Sequence, residues 1–332
     1  MSDTRTSPLI FGIYPGGHTG FGSGRAVTAD DPVRIHEALD HLQAGNSPFL
    51  VRGYLPYAGS LSATEALAIR TPTAVEQYVQ DGRKLDLVLQ FRQPDLDSWL
   101  TFIRQAIHRY HSMLATLQIT EEANVTTTPE VDGCIPQVRE ALVRGVIAAK
   151  EEIQRCSLDI QVGFNAAPSF DPADDFWPAI SALGGQSFLD ALDYVGLDFF
   201  PDVFRPLPDA REATLRRAVV GVLSHFRNVS LAAGTISQTC PIHITEHGCP
   251  TGPARSAERQ VEMVEQVVRI IHEQREQLNI THYEHFALRD ANSSNADLLS
   301  QFGLLRDDYH PKPAFERYRQ LIAELGRAEP TR

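Results

Sequence analysis

Two glutamates stand in matching surroundings. Glu122 lies within the stretch Leu117-Gln-Ile-Thr-Glu-Glu-Ala-Asn124, and Glu246 within Ile242-His-Ile-Thr-Glu-His-Gly-Cys-Pro-Thr251. Each follows a run of β-forming residues, and each run breaks into a loop just past its acid. Cleaving an acetal such as a glycosidic bond needs one protonated acid at the leaving oxygen. It also needs one carboxylate to attack the anomeric carbon or to activate water. Carboxyls about 5–5.5 Å apart serve the covalent, retaining route, and about 6.5–9.5 Å leaves room for the water of the inverting route. A lone glutamate at a strand end is more often a helix cap or a surface ion-pair partner. Two of them, each preceded by Ile-Thr and roughly 120 residues apart, point instead to one shared site.

The elements that must position this pair follow a single rhythm. Apolar runs near residues 8–14, 48–53, 85–91, 113–120, 158–164, 194–200, 240–246 and 281–288 read as eight strands. Several are continuously hydrophobic, as strands covered on both faces must be. Between them lie helical patterns at 31–45, 72–82, 95–111, 136–155, 176–192, 210–233 and 257–278, with a last one at 312–326. Asp31-Pro32 is a capped helix start with proline in the first turn, and Gly184-Gly185 predicts a break in the fifth pattern. Eight strand–helix alternations across 332 residues predict an α/β fold, a single (β/α)8 TIM barrel over residues 1–332. A short loose tail is expected from about 327. A doubly wound open sheet is the alternative, but no glycine-rich phosphate turn follows the first strand.

Bulk properties narrow the partners. A net charge of −12 disfavours nucleic acid and anionic membrane surfaces and leaves neutral ligands open. No apolar run approaches the ~18 residues of a membrane span, and no signal peptide is evident, so the expected location is cytoplasmic. The four cysteines, Cys134, Cys156, Cys240 and Cys249, form no CxxC pair and read as free thiols. His108 and His111 share a helix face without an evident third ligand, so a solvated face is the expectation. No metal or organic cofactor is expected.

In a barrel, the reacting groups come from the C-terminal ends of the strands. Those ends offer Tyr14 and His18, Arg52, Glu121 and Glu122, Asn165, Asp198 and Phe200, Glu246 and His247, and His285, Arg289 and Asp290. Two acids on opposite strands, an arginine and several aromatics suit a carbohydrate or a glycosylated small molecule. Tyr54 and Tyr57 are candidates for the wall of the site. Trp99 and Phe102 read as core, while Trp177 is open between packing and a sugar platform.

These motifs resemble clan A of the glycoside hydrolases, the retaining (β/α)8 enzymes. ITEEAN resembles the Asn-Glu-Pro context of that clan's acid/base, and ITEHGCPTG its Thr-Glu-x-Gly nucleophile context. YVGLDFFPDVF resembles its sixth strand. FALRDANSS with FGLLRDDYHPKPAFERYRQL resembles its eighth strand and closing helix. The resemblance implies Glu246 as nucleophile and Glu122 as acid/base, with Arg52 bracing the nucleophile. It places Glu121, Asn124, Tyr14, Phe200, His247 and His285 around the substrate. Three positions depart from the pattern. The asparagine before the acid/base is Glu121, whose charge would raise the pKa of Glu122. The strand-six tyrosine that bonds the nucleophile is Phe200. The tryptophan near the end of strand eight has His285 as its nearest counterpart. A sugar-binding barrel without hydrolysis, or a repurposed barrel acting on a glycosylated small molecule, is the alternative.

Overall fold

A computed structural model describes residues 8–17, 27–61, 67–69, 71–72, 75–208 and 211–326. His18 and the expected tail from 327 lie outside these. Eight parallel strands close into one barrel in sequence order. They are β1 (Ile10–Ile13), β2 (Phe49–Tyr57), β3 (Arg83–Phe91), β4 (Leu114–Ile119), β5 (Gln161–Ala166), β6 (Tyr194–Asp198), β7 (Ile242–His247) and β8 (Ile280–His285). Pairing of β1 with β8, Ile10 opposite His282, closes the ring.

The outer layer consists of α1 (Pro32–Gln43), α2 (Leu96–Tyr110), α3 (Val138–Arg155), α4 (Phe176–Ala191), α5 (Glu212–His225), the short α6 (Leu231–Ala233), α7 (Ala257–Leu278) and α8 (Pro313–Leu325). Helix starts follow capping chemistry. The Asp31 carboxylate accepts the Val33 and Arg34 amides, and the Ser256 hydroxyl accepts that of Arg259. The glycine pair does break α4: Gly185 has φ 55° and ψ −151°. A π-turn, Phe226–Ser230, joins α5 to α6.

One expected helix is missing. In place of a helix over 72–82, the described residues form a single 3-10 turn, Val75–Gln77. Asp81 and Gly82 both turn left-handed, at φ 53° and 86°, and the Arg83 Nε donates to the Tyr78 carbonyl at 2.6 Å. The chain therefore swings straight into β3. Meanwhile β2 runs on past Gly53, paired with β3 over nine positions. That extension carries Tyr54 over the barrel mouth.

The main core lies between strands and helices, with Phe11, Trp99, Phe164, Phe226 and Tyr318 among its large members. A second apolar cluster sits at the mouth: Tyr14, Tyr54, Ile69, Val88, Val203, Phe286, Ala287 and Phe302, with Phe200 packed against it. All four cysteines are free thiols. No helix among the described residues is long and apolar enough to cross a membrane.

Candidate active site

Within the barrel, polar side chains occupy inward positions of otherwise apolar strands. Arg52 on β2 is fully buried and reaches three walls. Its guanidinium pairs with Asp86 on β3. Its Nη2 donates to Gln118 on β4 at 2.9 Å and stands 3.6 Å from Glu121. Its Nε donates to the Tyr54 hydroxyl at 2.7 Å and lies 3.6 Å from Glu246 on β7. The Tyr54 hydroxyl in turn donates to the Glu246 carboxylate. Glu246 thus receives a hydroxyl hydrogen bond and faces a guanidinium. Burial pushes its pKa up, and Arg52 and Tyr54 oppose that rise.

The end of β4 is held in a strained turn. Thr120 and Glu122 both take left-handed backbone angles, φ 65° and 43°, which side chains with a Cβ seldom adopt. Three amide contacts fix this turn. The Thr120 amide donates to the Leu89 carbonyl at 2.9 Å, and the Glu121 amide to the Asp132 carboxylate at 2.8 Å. The Glu122 amide donates to the Asn165 side-chain oxygen at 2.8 Å. Asp132 is itself anchored, accepting the Phe91 amide and the Arg92 guanidinium. With the backbone twisted twice in three residues, Glu121 points into the barrel and Glu122 into the cleft.

Glu121 is almost wholly buried. It accepts from Gln118 at 2.8 Å and from Asn165 at 3.2 Å. Asn165 also bonds Asp198 on β6, which takes the Thr245 hydroxyl as well. Carboxylate oxygens of Glu121, Asp198 and Glu246 all come within 4.8 Å of one another. This trio could serve a hard cation by type, but protein donors already occupy most of its oxygens. Burial and the charge of Glu246 hold the carboxyls of Glu121 and Asp198 well above the ordinary range. Glu122 is half-buried, and its pKa rises to about 8, from burial first and then from Glu246, against the pull of Arg52.

Glu121, Glu122, Asp198 and Glu246 line the floor of one cleft of about 850 Å³. Loops after β4, β5, β6 and β8 and one face of α5 form its walls. At its base, Thr245 and Glu246 are neighbours in sequence yet both serve the interior. A register shift between Ile244 and His247 makes this possible, as a bulge re-aims side chains that strict alternation would send to opposite faces. Room is made by glycine: a Cβ on Gly196 would fall 2.7 Å from the Thr245 hydroxyl.

Several solved structures share this architecture. The β-glucuronidase of Bifidobacterium dentium aligns with a TM-score of 0.57 at 13% identity, over 96% of this chain and 47% of that one. A GH2 β-galacturonidase from Eisenbergiella tayi gives 0.59 at 13%, over 98% and 52%. A β-glucosidase gives 0.58 at 14%, over 89% and 88%. The chain spans about half the length of the first two, and what the likeness shows is the (β/α)8 fold. No protein-family model matches the sequence, and no curated protein matches it.

The residues expected at the site divide into two groups. Arg52, Glu121, Glu122 and Glu246 converge, and Phe200 lines the cleft. His247 and His285 do not join them. His247 Nδ1 lies 2.6 Å from the Tyr283 hydroxyl, and His285 packs on Tyr318 of α8 at 5.2 Å between ring centroids. Both face the helical layer, one residue out of phase with the barrel interior. Tyr14 is buried behind the wall, edge-on to Tyr54 and stacked on Phe286. Asn124 is a brace: its amide donates to the Ala167 carbonyl at 2.9 Å, and its oxygen accepts the Ala167 amide at 3.0 Å. Of the other strand-end candidates, Arg289 pairs with Asp30 at 2.7 Å and Asp290 with Lys312 at 2.7 Å, which ties the β8 loop together. Trp177 packs in the core against Phe164, Phe176 and Phe226, and Tyr57 packs on Trp99 and Phe102.

Sequence reasoning gave Tyr54 only as a wall candidate and missed what four residues contribute. Tyr54 supplies the hydroxyl on Glu246 that the phenylalanine at 200 cannot. Phe286 presents to the cleft the aromatic ring expected nearer His285. Gln118 and Asp86 complete the grip on Arg52. The last two were signalled by polar residues at alternate positions of apolar strands, Leu-Asp-Leu in β3 and Leu-Gln-Ile in β4. Nothing in the local sequence signals which way Tyr54 and Phe286 turn.

Proposed function

We propose that this protein is a retaining O-glycosidase in which Glu246 is the nucleophile and Glu122 the acid/base. The observation that carries the reading is the unequal treatment of two acids in one cleft. Glu246 meets Arg52 and Tyr54, which favour its charged form. No side chain among the described residues donates to the Glu122 carboxyl, and burial with the nearby charge favours its proton. Environments that push two carboxyls apart in this way assign acid and nucleophile.

In the first step, a Glu246 oxygen forms a bond to the anomeric carbon while the bond to the leaving oxygen breaks. The Glu122 proton moves to that oxygen, and the aglycone departs as its alcohol. In the second, the Glu122 carboxylate takes a proton from water, whose oxygen displaces Glu246 from the glycosyl ester. Arg52 and Tyr54 hold the departing carboxylate ready for the next cycle. Glu121, held by Gln118 and Asn165 and nearly inaccessible, fixes the turn beside Glu122, and the charge that raises the Glu122 pKa is that of Glu246.

A panel of 4-nitrophenyl glycosides tests this reading. Turnover of at least one by the parent protein, lost in both Glu246→Ala and Glu122→Ala, is the expected result. Turnover that survives Glu246→Ala contradicts the assignment. The substitution of glutamate at 121 for a residue able to donate to a sugar hydroxyl supports a second reading, a barrel that binds sugar without cleaving it. Calorimetric binding of a glycoside with no product and no covalent trapping would favour that one.

A further inference from the structure

The cleft changes character with distance from the carboxylates. Its floor is acidic, but its outer walls are mostly apolar: Val125, Phe170, Phe200, Phe204, Val222 and Phe302 face the same space, with Glu130, Asp202, Arg205 and Arg217 among the polar residues that share it. The rings are connected. Tyr14 bridges Tyr54 and Phe286, Phe286 lies against Phe200 and Phe302, and Phe200 meets Phe204 edge-on at 5.5 Å. An aromatic chain therefore runs from the tyrosine on Glu246 to the rim. At the rim, Phe204 is 56% and Phe170 49% exposed. Large exposed apolar side chains around a cavity mark a surface that something apolar covers.

We infer that this outer half of the cleft holds an extended apolar aglycone, an aryl or alkyl group, and that the substrates are glycosides of hydrophobic alcohols or phenols and not oligosaccharides. The inference rests on the glycosidase reading for the orientation of the ligand, with its sugar on the acids. About 850 Å³ is far more than one sugar ring fills, and it lies within the range of roughly 300–1,000 Å³ usual for drug-sized ligands. A second sugar placed along Phe200, Phe204, Phe286 and Phe302 would find no hydrogen-bond partner for its hydroxyls on those side chains, with bonds to water lost. An alkyl chain or fused ring gains from the same burial. Continuity matters as well: the apolar wall starts at the side of the cleft floor and opens outward, along the path a leaving group must take.

The test separates binding from cleavage. Glu246→Gln, which retains the shape of the site, is titrated by calorimetry with methyl, hexyl and octyl β-D-glucoside below their micelle concentrations, and with cellobiose. The expected result is octyl β-D-glucoside binding at least about ten-fold tighter than the methyl glucoside, hexyl between them, and cellobiose no tighter than methyl. Phe170→Ser/Phe204→Ser, both at exposed positions, is expected to remove most of the chain-length gain. Affinity independent of chain length overturns the inference. So does cellobiose binding tighter than octyl glucoside, no binding of octyl glucoside, or a gain that persists in the double variant. 4-Methylumbelliferone, a free aryl aglycone, distinguishes aryl from alkyl preference by competing with the octyl glucoside. A chain-length gain without turnover of any aryl glycoside by the parent protein would remove the glycosidase reading and leave the apolar site standing. Turnover without the gain would do the reverse.

Discussion

β7 and β8 present two rows of titratable groups that are one residue apart in the chain and on opposite faces of the barrel wall. Inward, Glu246 and Glu284 face Arg52 and Asp86 across the barrel, and burial raises both carboxyls while Arg52 opposes the rise. Outward, His247 and His285 sit against Tyr283 and Tyr318 under α8. Burial pushes the His247 pKa down to about 3 and that of His285 well below its usual value, so both stay neutral across the physiological range. Both rows are buried and polar. The inner one has a guanidinium beside it and a cleft above it; the outer one has neither. Burial of a titratable group does not by itself mark a site, and the face of the strand decides.

The sharpest break in that comparison is Glu246→Ala. It should lower turnover of activated aryl glycosides by roughly 10⁴-fold or more, with the far-ultraviolet circular dichroism unchanged. Next comes Glu122→Gln. Its loss in kcat/KM should be larger for substrates with poor leaving groups than for 4-nitrophenyl ones, because the former need the proton to depart, while kcat should fall for both, because the second step needs Glu122 as base. In the parent, kcat/KM should fall as pH rises through about 8, where Glu122 loses its proton, and this limb should vanish in the variant. Stability carries the same signature. A folded-state pKa of about 8 against 4.5 for the free group means stability is lost as pH rises across that window. Glu122→Gln should therefore gain thermal stability over the parent between pH 4.5 and 8, and the gap should widen upward.

Tyr54→Phe tests the inner row more gently. It removes one hydrogen bond to a charged group, for which about 1.5–3 kcal/mol is usual. A fall of roughly 10- to 100-fold in kcat is expected, with little change in KM. The smallest effect on activity belongs to the outer row. His247→Leu should leave kcat/KM within about two-fold. It should cost about 1–3 kcal/mol of stability, because the Tyr283 hydroxyl loses its short partner and keeps only His285 at 3.4 Å. That cost should shrink below pH 6.5. A buried histidine with a depressed pKa loses stability as pH falls from its unfolded value, and leucine removes that loss.

The fold was legible because strand and helix periods persist through the whole chain, and closure into a barrel follows from eight such units. The acids were legible because each ends a strand at the mouth. The outward turn of His247 was not, because a register shift in β7 breaks the alternation on which such counting depends, whereas His285 simply alternates after the inward Glu284 on β8. The missing helix before β3 escaped because 72–82 has helical composition while Asp81, Gly82 and Arg83 take the chain elsewhere. Tyr54 was expected at the wall, but its bond to Glu246 escaped because it depends on β2 running four residues past Gly53, a length fixed by pairing with β3 and not by the residues of β2. Phe200 was read as a hydrogen bond lost from the expected nucleophile, and in the structure Glu246 receives one from the Tyr54 hydroxyl.

The central claim is that Glu246 forms a covalent bond to the sugar. It is tested most directly by incubating the protein with an activated 2-deoxy-2-fluoro aryl glycoside of whichever sugar the panel selects, followed by peptide mass mapping. The account predicts one equivalent of label on Glu246. Label on Glu121 or Glu122, or turnover of the parent glycoside with no labelled glutamate at all, would contradict it.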